Sequence, residues 1–340
     1  MKYKSCFIKD NKCSEKFKEA HILSKAATMS LVHGPTKSGL QVIHLGYKSE
    51  GNKFIPTPVG WKKASAHFCF CHDHDNDLFE PIENDNILDP KNIEQLFLHT
   101  LRSFAYAYYR KKKELQPFND LMESILDIKS TLSGFLNSDR ENEDKESRKL
   151  RERFDLKFWP YESIRKDLLD ILKNKSFNQM VYRTAIIGKR FPFASAGVLM
   201  AQIIDPEQKN WSIVSYDSSD PIIKPPAIIL TVLPDKHDRT IVIMGALKKD
   251  QNAIMTINKF DRLEGSDLRR ALTALILDVN KDNTFFNPKL WDYMKGKGYQ
   301  DKIIEELNME RGLDLITQPL SLSSFDLFNP EFSCKNLNIT

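Results

Sequence analysis

Phe68-Cys69-Phe70-Cys71-His72-Asp73-His74-Asp75 sets two thiols, two imidazoles and two carboxylates within eight residues. Four of the five cysteines fall in the first 71 residues, and six of the eight histidines in the first 74. Apolar packing does not need soft sulfur and imidazole donors gathered this way. A small metal-centred fold does. Cys71 and His74 have the two-residue gap that lets a knuckle offer both side chains to one ion, and Cys6 and Cys13 supply two more thiols upstream. Three sulfurs and one nitrogen make a closed, tetrahedral, structural zinc site. Thiolate donors favour zinc over magnesium or calcium. Within the cluster, Cys69 and His72 have the same spacing as Cys71 and His74 and are the competing pair. Cys69 and Cys71 would share one side of a strand.

Working outward, 340 residues leave room for two domains of ordinary size. Hydrophobic residues make up 41% and charged residues 28%, a soluble globular balance. No stretch of 18 consecutive apolar residues exists, which argues against a membrane span. The opening Met-Lys-Tyr-Lys-Ser-Cys lacks the apolar centre of a signal peptide. The cysteine number is odd and Cys334 stands apart, unlike a secreted disulfide scaffold, so a cytoplasmic location with metal-held thiols is expected. A net charge of +4 is a weak pointer to nucleic acid.

The chain divides by pattern into 1–90, a zinc module; 91–175, a helical connection; 176–320, an α+β domain of unassigned role; and 321–340, an irregular tail. Val42 to Leu45 reads as a strand, and Pro56, Pro58 and Gly60 read as breaks before the cluster. Asp89-Pro90 can start a helix. Ile93, Leu96, Phe97, Leu101 and Phe104 follow helical spacing, predicting a helix to Lys113 and a second over Phe118 to Leu136. Phe104, Tyr106, Tyr108 and Tyr109 lie beside Arg110 to Lys113, either as base-stacking groups or as the packed face of a helix between domains. Asp139 to Arg153 is a run of mixed charge, expected as a solvated helix or hinge. Tyr161 to Leu172 predicts a third helix. Strands are expected at Val181 to Ile187, Gly197 to Ile204, Trp211 to Tyr216, Ala227 to Val232 and Thr240 to Met244. Leu268 to Leu277 and Leu290 to Leu307 return to helical spacing. Lys189-Arg190, Lys248-Lys249 and Arg269-Arg270 are candidates for a basic face.

The order Cys6, Cys13, Ala20-His21-Ile22-Leu23-Ser24-Lys25, then Phe70-Cys71-His72-Asp73-His74-Asp75-Asn76-Asp77-Leu78-Phe79-Glu80-Pro81-Ile82-Glu83 resembles an uncharacterised bacterial family related to the HNH (ββα-metal, treble-clef) endonucleases. The resemblance covers about residues 1–115. It implies a zinc-stapled HNH-like ββα module at the N-terminus; the strand and helix pattern beyond it predicts helices and then a larger C-terminal α+β domain with an antiparallel sheet, so the expected fold class is α+β. The resemblance implies His21 as general base and Asp75, directly after the last zinc ligand, as a ligand of a catalytic magnesium or manganese ion. The implied activity is phosphodiester hydrolysis of DNA or RNA, a chemistry used in bacterial or phage defence. In that scheme an ion held by Asp75 would steady charge on the phosphate and on the leaving oxygen, and neutral His21 would take a proton from water. Lys25 would meet a neighbouring phosphate or stand as an ordinary surface lysine. Ser24 would cap a helix.

One position departs from the family pattern. HNH enzymes usually carry a metal ligand just before the catalytic histidine, and this chain has Ala20. Glu19, His44 or His67 would have to replace it. In the endonuclease expectation the C-terminal domain recognises a target or a protein partner; the alternative expectation is a non-catalytic zinc module that binds nucleic acid or protein.

Overall fold

The runs 227–234 and 240–247 are apolar at nearly every position and buried throughout. Successive strand residues point to opposite faces, so strands without a polar face need cover on both sides. The computed structural model provides that cover. It describes residues 6–10, 12–14, 16–17, 20–48, 53–83, 88–133, 158–204, 212–215, 226–279, 283–308, 317–319 and 325–339. The expected charged segment 139–153 lies outside the described residues.

In chain order the strands and helices are β1 (Ala20–His21), a π-helical turn (Lys25–Met29) running into α1 (Ser30–Val32), β2 (Gly34–Thr36), β3 (Gly39–Lys48), β4 (Lys53–Gly60), β5 (Ala66–His67), α2 (His72–Phe79), α3 (Ile93–Ser133), and α4 over 158–174. They continue with β6 (Met180–Ile187), β7 (Phe193–Ile204), β8 (Ser212–Ser215), β9 (Ala227–Pro234), β10 (Thr240–Leu247), α5 (Gln251–Phe260), α6 (Gly265–Ala274), β11 (Thr284–Phe286), α7 (Pro288–Gly296), α8 (Tyr299–Asn308) and β12 (Thr317–Pro319). β1 and β5 form a small hairpin ladder. The main sheet runs β2-β3-β11-β7-β9-β10-β6, with β4 on β3, β8 on β7 and β12 on β8. Every pairing in it is antiparallel.

Alternation sorts the core into two faces. Val242, Met244 and Ala246 of β10, with Ile228, Leu230 and Val232 of β9, join the cluster formed by residues of α5, α6, α7 and α8 and by Phe325, Leu327, Phe328 and Phe332. Ile241 and Ile243 of β10 face the other way, into a cluster with Ile22, Leu23, Leu96 and Tyr106. Ile229 and Leu247 join Phe97, Leu101, Phe104 and residues of α4. The mixed helix and antiparallel sheet of the expected α+β class are thus present. The N-terminal segment contributes directly to this sheet, because Ile43 and His44 of β3 pair with Phe286 and Phe285 of β11.

α3 crosses the sheet closely at Gly245, where a Cβ would come within 3.1 Å of Thr100. Ser103 is hydrogen-bonded to Thr231 at 2.7 Å on the same approach. Tyr106, Tyr108 and Tyr109 are buried with Phe104, so the aromatic string is a packed helix face. No helix among the described residues is long and apolar enough to cross a membrane.

Several local expectations need correction. Pro56 and Pro58 do not break the chain but lie inside β4, opposite Leu45 and Ile43. Among the described residues β4 pairs only with β3, and an edge strand tolerates residues that cannot donate. The predicted break between Lys113 and Phe118 is absent, and α3 runs through Pro117. One proline removes a single helical hydrogen bond, which the turns on either side can outweigh. That helix is capped by Asn92, whose side chain accepts from the backbone N–H of Glu94 and Gln95, rather than by Asp89-Pro90. The single helix expected from Leu290 to Leu307 is two, separated at Gly298, whose φ of 73° ends α7.

Candidate metal centre

The N-terminal residues have few apolar side chains of their own to bury, and the backbone places their thiols. Phe7 N–H donates to the Cys69 carbonyl at 2.8 Å, and His72 N–H donates to the Lys16 carbonyl at 2.9 Å. A bridge pairs Phe17 with Cys71. Phe7 drops into the core against Phe70, Phe104 and Tyr108. These contacts pin both ends of the Cys6 to Cys13 segment beside the start of α2. Cys71 occupies the N-cap position of α2, and His74 stands in its first turn. Residues one to three apart at a helix start share a side, which brings Sγ and the imidazole together.

The ligand atoms of Cys6, Cys13, Cys71 and His74 all lie within 4.8 Å of one another. His74 Nδ1 is 3.5 Å from Cys6 Sγ, 3.7 Å from Cys13 Sγ and 3.1 Å from Cys71 Sγ. Zinc–sulfur and zinc–nitrogen bonds arranged tetrahedrally separate S from N by about 3.6 Å. The observed spacings bracket that value, so the donor set fits zinc. The other ring nitrogen, Nε2, stands 3.3 Å from Asp10 Oδ1. A carboxylate there fixes the ring and keeps Nδ1 available to the ion, the usual outer partner of a ligating histidine. Asp10 also accepts the backbone N–H of Cys13 through its carbonyl, so knuckle and ring support are one turn.

The thiols differ in metal-free acidity. Burial pushes Cys6 up to about 11, against hydrogen bonds from backbone groups of Lys9, Cys71 and Ile8. Burial also raises Cys71, but hydrogen bonds from His74 and Ser14 outweigh it and leave the thiol lowered to about 6. The competing pair separates: Cys69 is buried among apolar groups, with its thiol pushed up chiefly by burial. His72 is exposed and bonded to Asp73 and Asn76. Residues 68–70 form bends rather than a strand, so Cys69 and Cys71 do not share a side as alternation predicts.

His21 sits on β1, half-buried, with Nδ1 3.1 Å from the Ala64 carbonyl. Ala20 is buried opposite His67. The His67 ring packs on Tyr106 at 4.5 Å and near Tyr109 at 6.0 Å. His44 stacks on Phe285 at 4.8 Å. Burial lowers His67 to about 3, with His44, Arg110, Lys113 and His21 adding to the effect. Of the proposed replacements for the missing ligand, His67 pairs with Ala20 and not with His21 in the β1/β5 ladder, and neither His44 nor His67 joins a cluster of metal-type ligands among the described residues. Glu19 lies outside the described residues.

Asp75 is buried, and its Oδ1 is 3.2 Å from Arg102 Nη2. Arg102 Nη1 approaches Glu83 Oε1 at 2.5 Å, an ionic contact without hydrogen-bond geometry. The guanidinium lies over Phe79 at 4.1 Å. Ser24 donates to Glu83 Oε2 at 3.0 Å and accepts from Ala27 N–H, so it does cap the turn after β1. Among the described residues, the Cys6–Cys13–Cys71–His74 group is the one cluster of three or more metal-type ligands, and Asp75 is not in it.

Arg102 and Asp10 are the residues sequence reasoning missed. Arg102 interrupts the helical stripe Leu98, Arg102, Ala105, Tyr109, all four buried, and a charge in such a stripe is a sign of a buried partner. Asp10 carries no such signal. The basic pairs of the C-terminal half are engaged separately: Lys249 with Asp167, Arg269 with Asp326, and Arg190 with the Ile339 carbonyl. Comparison with protein-family models, curated proteins and solved structures finds no match.

Proposed function

We propose that residues 6–83 form a zinc-stapled module of HNH-like type whose metal is structural and which binds nucleic acid without cutting it. The observation that carries this reading is the Asp75–Arg102 pair. A carboxylate already neutralised by a buried guanidinium has little to offer a magnesium ion, and the alanine before His21 offers nothing. The order of thiol pair, hairpin β1/β5 and helix α2 with two ligands in its first turn supports the HNH-like assignment. Zinc supplies no chemistry to a substrate here; it closes the fold. In this reading contact with phosphates falls to exposed cations such as Lys113 of α3, and such contacts weaken with salt.

A specific observation favours a second reading, magnesium- or manganese-dependent cleavage. The Ala64 carbonyl holds His21 Nδ1, which would orient the ring for proton transfer from water. Fluorescence anisotropy and gel assays of the zinc-loaded protein with DNA and with RNA separate the two. Binding that is indifferent to magnesium, with substrate intact, supports the binding module. Magnesium-dependent cleavage that His21→Ala abolishes at constant zinc content supports the nuclease. Neither binding nor cleavage removes both.

A further inference from the structure

α4 supplies none of the four thiol and imidazole donors, yet one of its side chains grips the knuckle that carries Cys6. The Arg165 side chain is 11% exposed. Its Nε donates to the Phe7 carbonyl at 2.7 Å and its Nη2 to the Ile8 carbonyl at 3.1 Å. Its Nη1 donates to Glu162 Oε1 at 2.9 Å, and Glu162 Oε2 accepts from the Tyr108 hydroxyl at 2.7 Å. The guanidinium also lies over the rings of Phe7 and Tyr108, at 5.4 and 5.6 Å. All three of its nitrogens therefore have acceptors, and a planar fork held on three sides is rigid.

The two gripped carbonyls belong to particular peptides. The Phe7 oxygen shares a peptide plane with the Ile8 N–H, and the Ile8 oxygen shares one with the Lys9 N–H. A trans peptide points its oxygen and its N–H in opposite directions. Those same two N–H groups, with that of Cys71, donate to Cys6 Sγ. Arg165 thus holds the oxygen ends of the two peptides whose N–H ends meet the sulfur. Lys9 has a φ of 54°, in the left-handed region that lysine rarely takes, so this turn needs to be held from outside. A carbonyl that accepts from a cation also polarises its own peptide, which strengthens the N–H at the far end.

We infer that Arg165 is a positioning residue of the metal centre, clamping the Phe7–Ile8 and Ile8–Lys9 peptides so that their N–H groups aim at Cys6 Sγ and hold its negative charge when a metal is bound. The inference rests on the zinc reading and deepens it by naming a determinant of metal affinity 158 residues along the chain from Phe7. The metal centre is then completed by α4, outside the segment that carries its four donors. Coupling of this kind is reciprocal, so zinc also favours the docked α4 by the same factor. A strut that merely packed Phe7 in place would have no need to grip two successive carbonyls.

The test is competition for zinc between the full chain and a chelator of calibrated affinity, in wild type, Arg165→Gln, Arg165→Lys and Ile171→Val. Arg165→Gln should weaken zinc binding by about 10–100-fold. Arg165→Lys should recover only part of that, because one ammonium cannot serve both carbonyls in the geometry of a fork. Ile171→Val trims a buried α4 side chain without reaching the carbonyls, and should leave zinc affinity within about threefold of wild type. With cobalt in place of zinc, the sulfur-to-metal charge-transfer band should move to lower energy in Arg165→Gln and stay in place in Ile171→Val, a signature that lost stability alone does not produce. In the wild type, where no variant has to fold, a magnetically active cadmium isotope in the site should couple to the Ile8 and Lys9 amide protons through Cys6 Sγ. No coupling at either amide, equal zinc affinity in wild type and Arg165→Gln, full recovery in Arg165→Lys, or an equal loss in Ile171→Val overturns the clamp and leaves the zinc site standing. A wild type that holds no metal removes the zinc site and the clamp with it.

Discussion

The carboxylate of Asp75 stands 3.2 Å from Nη2 of Arg102, an arginine 27 residues away on another helix. The arginine side chain is 2% exposed and the aspartate 8%. This pair ties α2, which carries two of the zinc donors, to α3, which crosses the sheet. A metal held by the Cys6–Cys13–Cys71–His74 group and the ion pair would therefore hold the same helix from two directions.

Removing the guanidinium leaves Asp75 buried without a counter-charge. Arg102→Leu should cost about 3–5 kcal/mol, measured by denaturant unfolding at saturating zinc. Arg102→Leu with Asp75→Asn should recover part of that loss, because the buried carboxylate is then neutral and only the partly exposed Glu83 lacks its guanidinium. An unchanged midpoint in Arg102→Leu would show that the pair contributes nothing.

Metal content is a direct check on the ligand set. Elemental analysis should find about one zinc per chain. Cys13→Ser should lower occupancy sharply, whereas Cys69→Ser should retain the metal, because Cys69 lies in the apolar core. Loss of zinc in Cys69→Ser at unchanged secondary structure would reverse the assignment.

Two buried histidines set an acid limit. His67 and His99 are each lowered to about 3, chiefly by burial. The unfolded chain takes up their protons near the ordinary value of 6.5 and the folded chain does not. Stability is therefore whole above that value and falls as pH drops from 6.5 toward 3. Each group contributes up to about 1.4 kcal/mol per pH unit in that window. His67→Gln should flatten the slope relative to wild type when both proteins hold zinc. Parallel stability profiles for the two proteins would contradict the neutral His67.

The close crossing at Gly245 admits no side chain. A Cβ there would meet Thr100 at 3.1 Å and Tyr182 at 3.2 Å. Gly245→Val should lose about 1–3 kcal/mol in thermal or denaturant unfolding. Adding Thr100→Ala should restore part of it by clearing one of the two neighbours. Additive losses in the double variant would mean that the helix and strand do not meet as described.

Much of the sheet was legible along the chain. Val181 to Ile187, Ala227 to Val232 and Thr240 to Met244 are dense in β-branched and aliphatic residues, and each lies inside an observed strand. β4 was not legible, because its two prolines are breakers in isolation and harmless on an edge. Pro117 misled for a similar reason: the turns around it belong to a helix that the sheet and α4 hold in place.

The amino-acid order alone pointed to a thiol–imidazole metal site at the N-terminus, and the structure chose Cys71 and His74 over Cys69 and His72. Thiol and imidazole chemistry is intrinsic to the residue, and a two-residue gap at a helix start needs only local geometry to converge. What occupies Asp75 was decided by tertiary structure. A carboxylate looks the same in sequence whether it waits for a cation or already has one, and Arg102 reaches it only once α3 has docked across the sheet. The sharing of one sheet by β3 and β11 was settled the same way, since backbone pairing between distant segments depends on register and burial that no local pattern encodes.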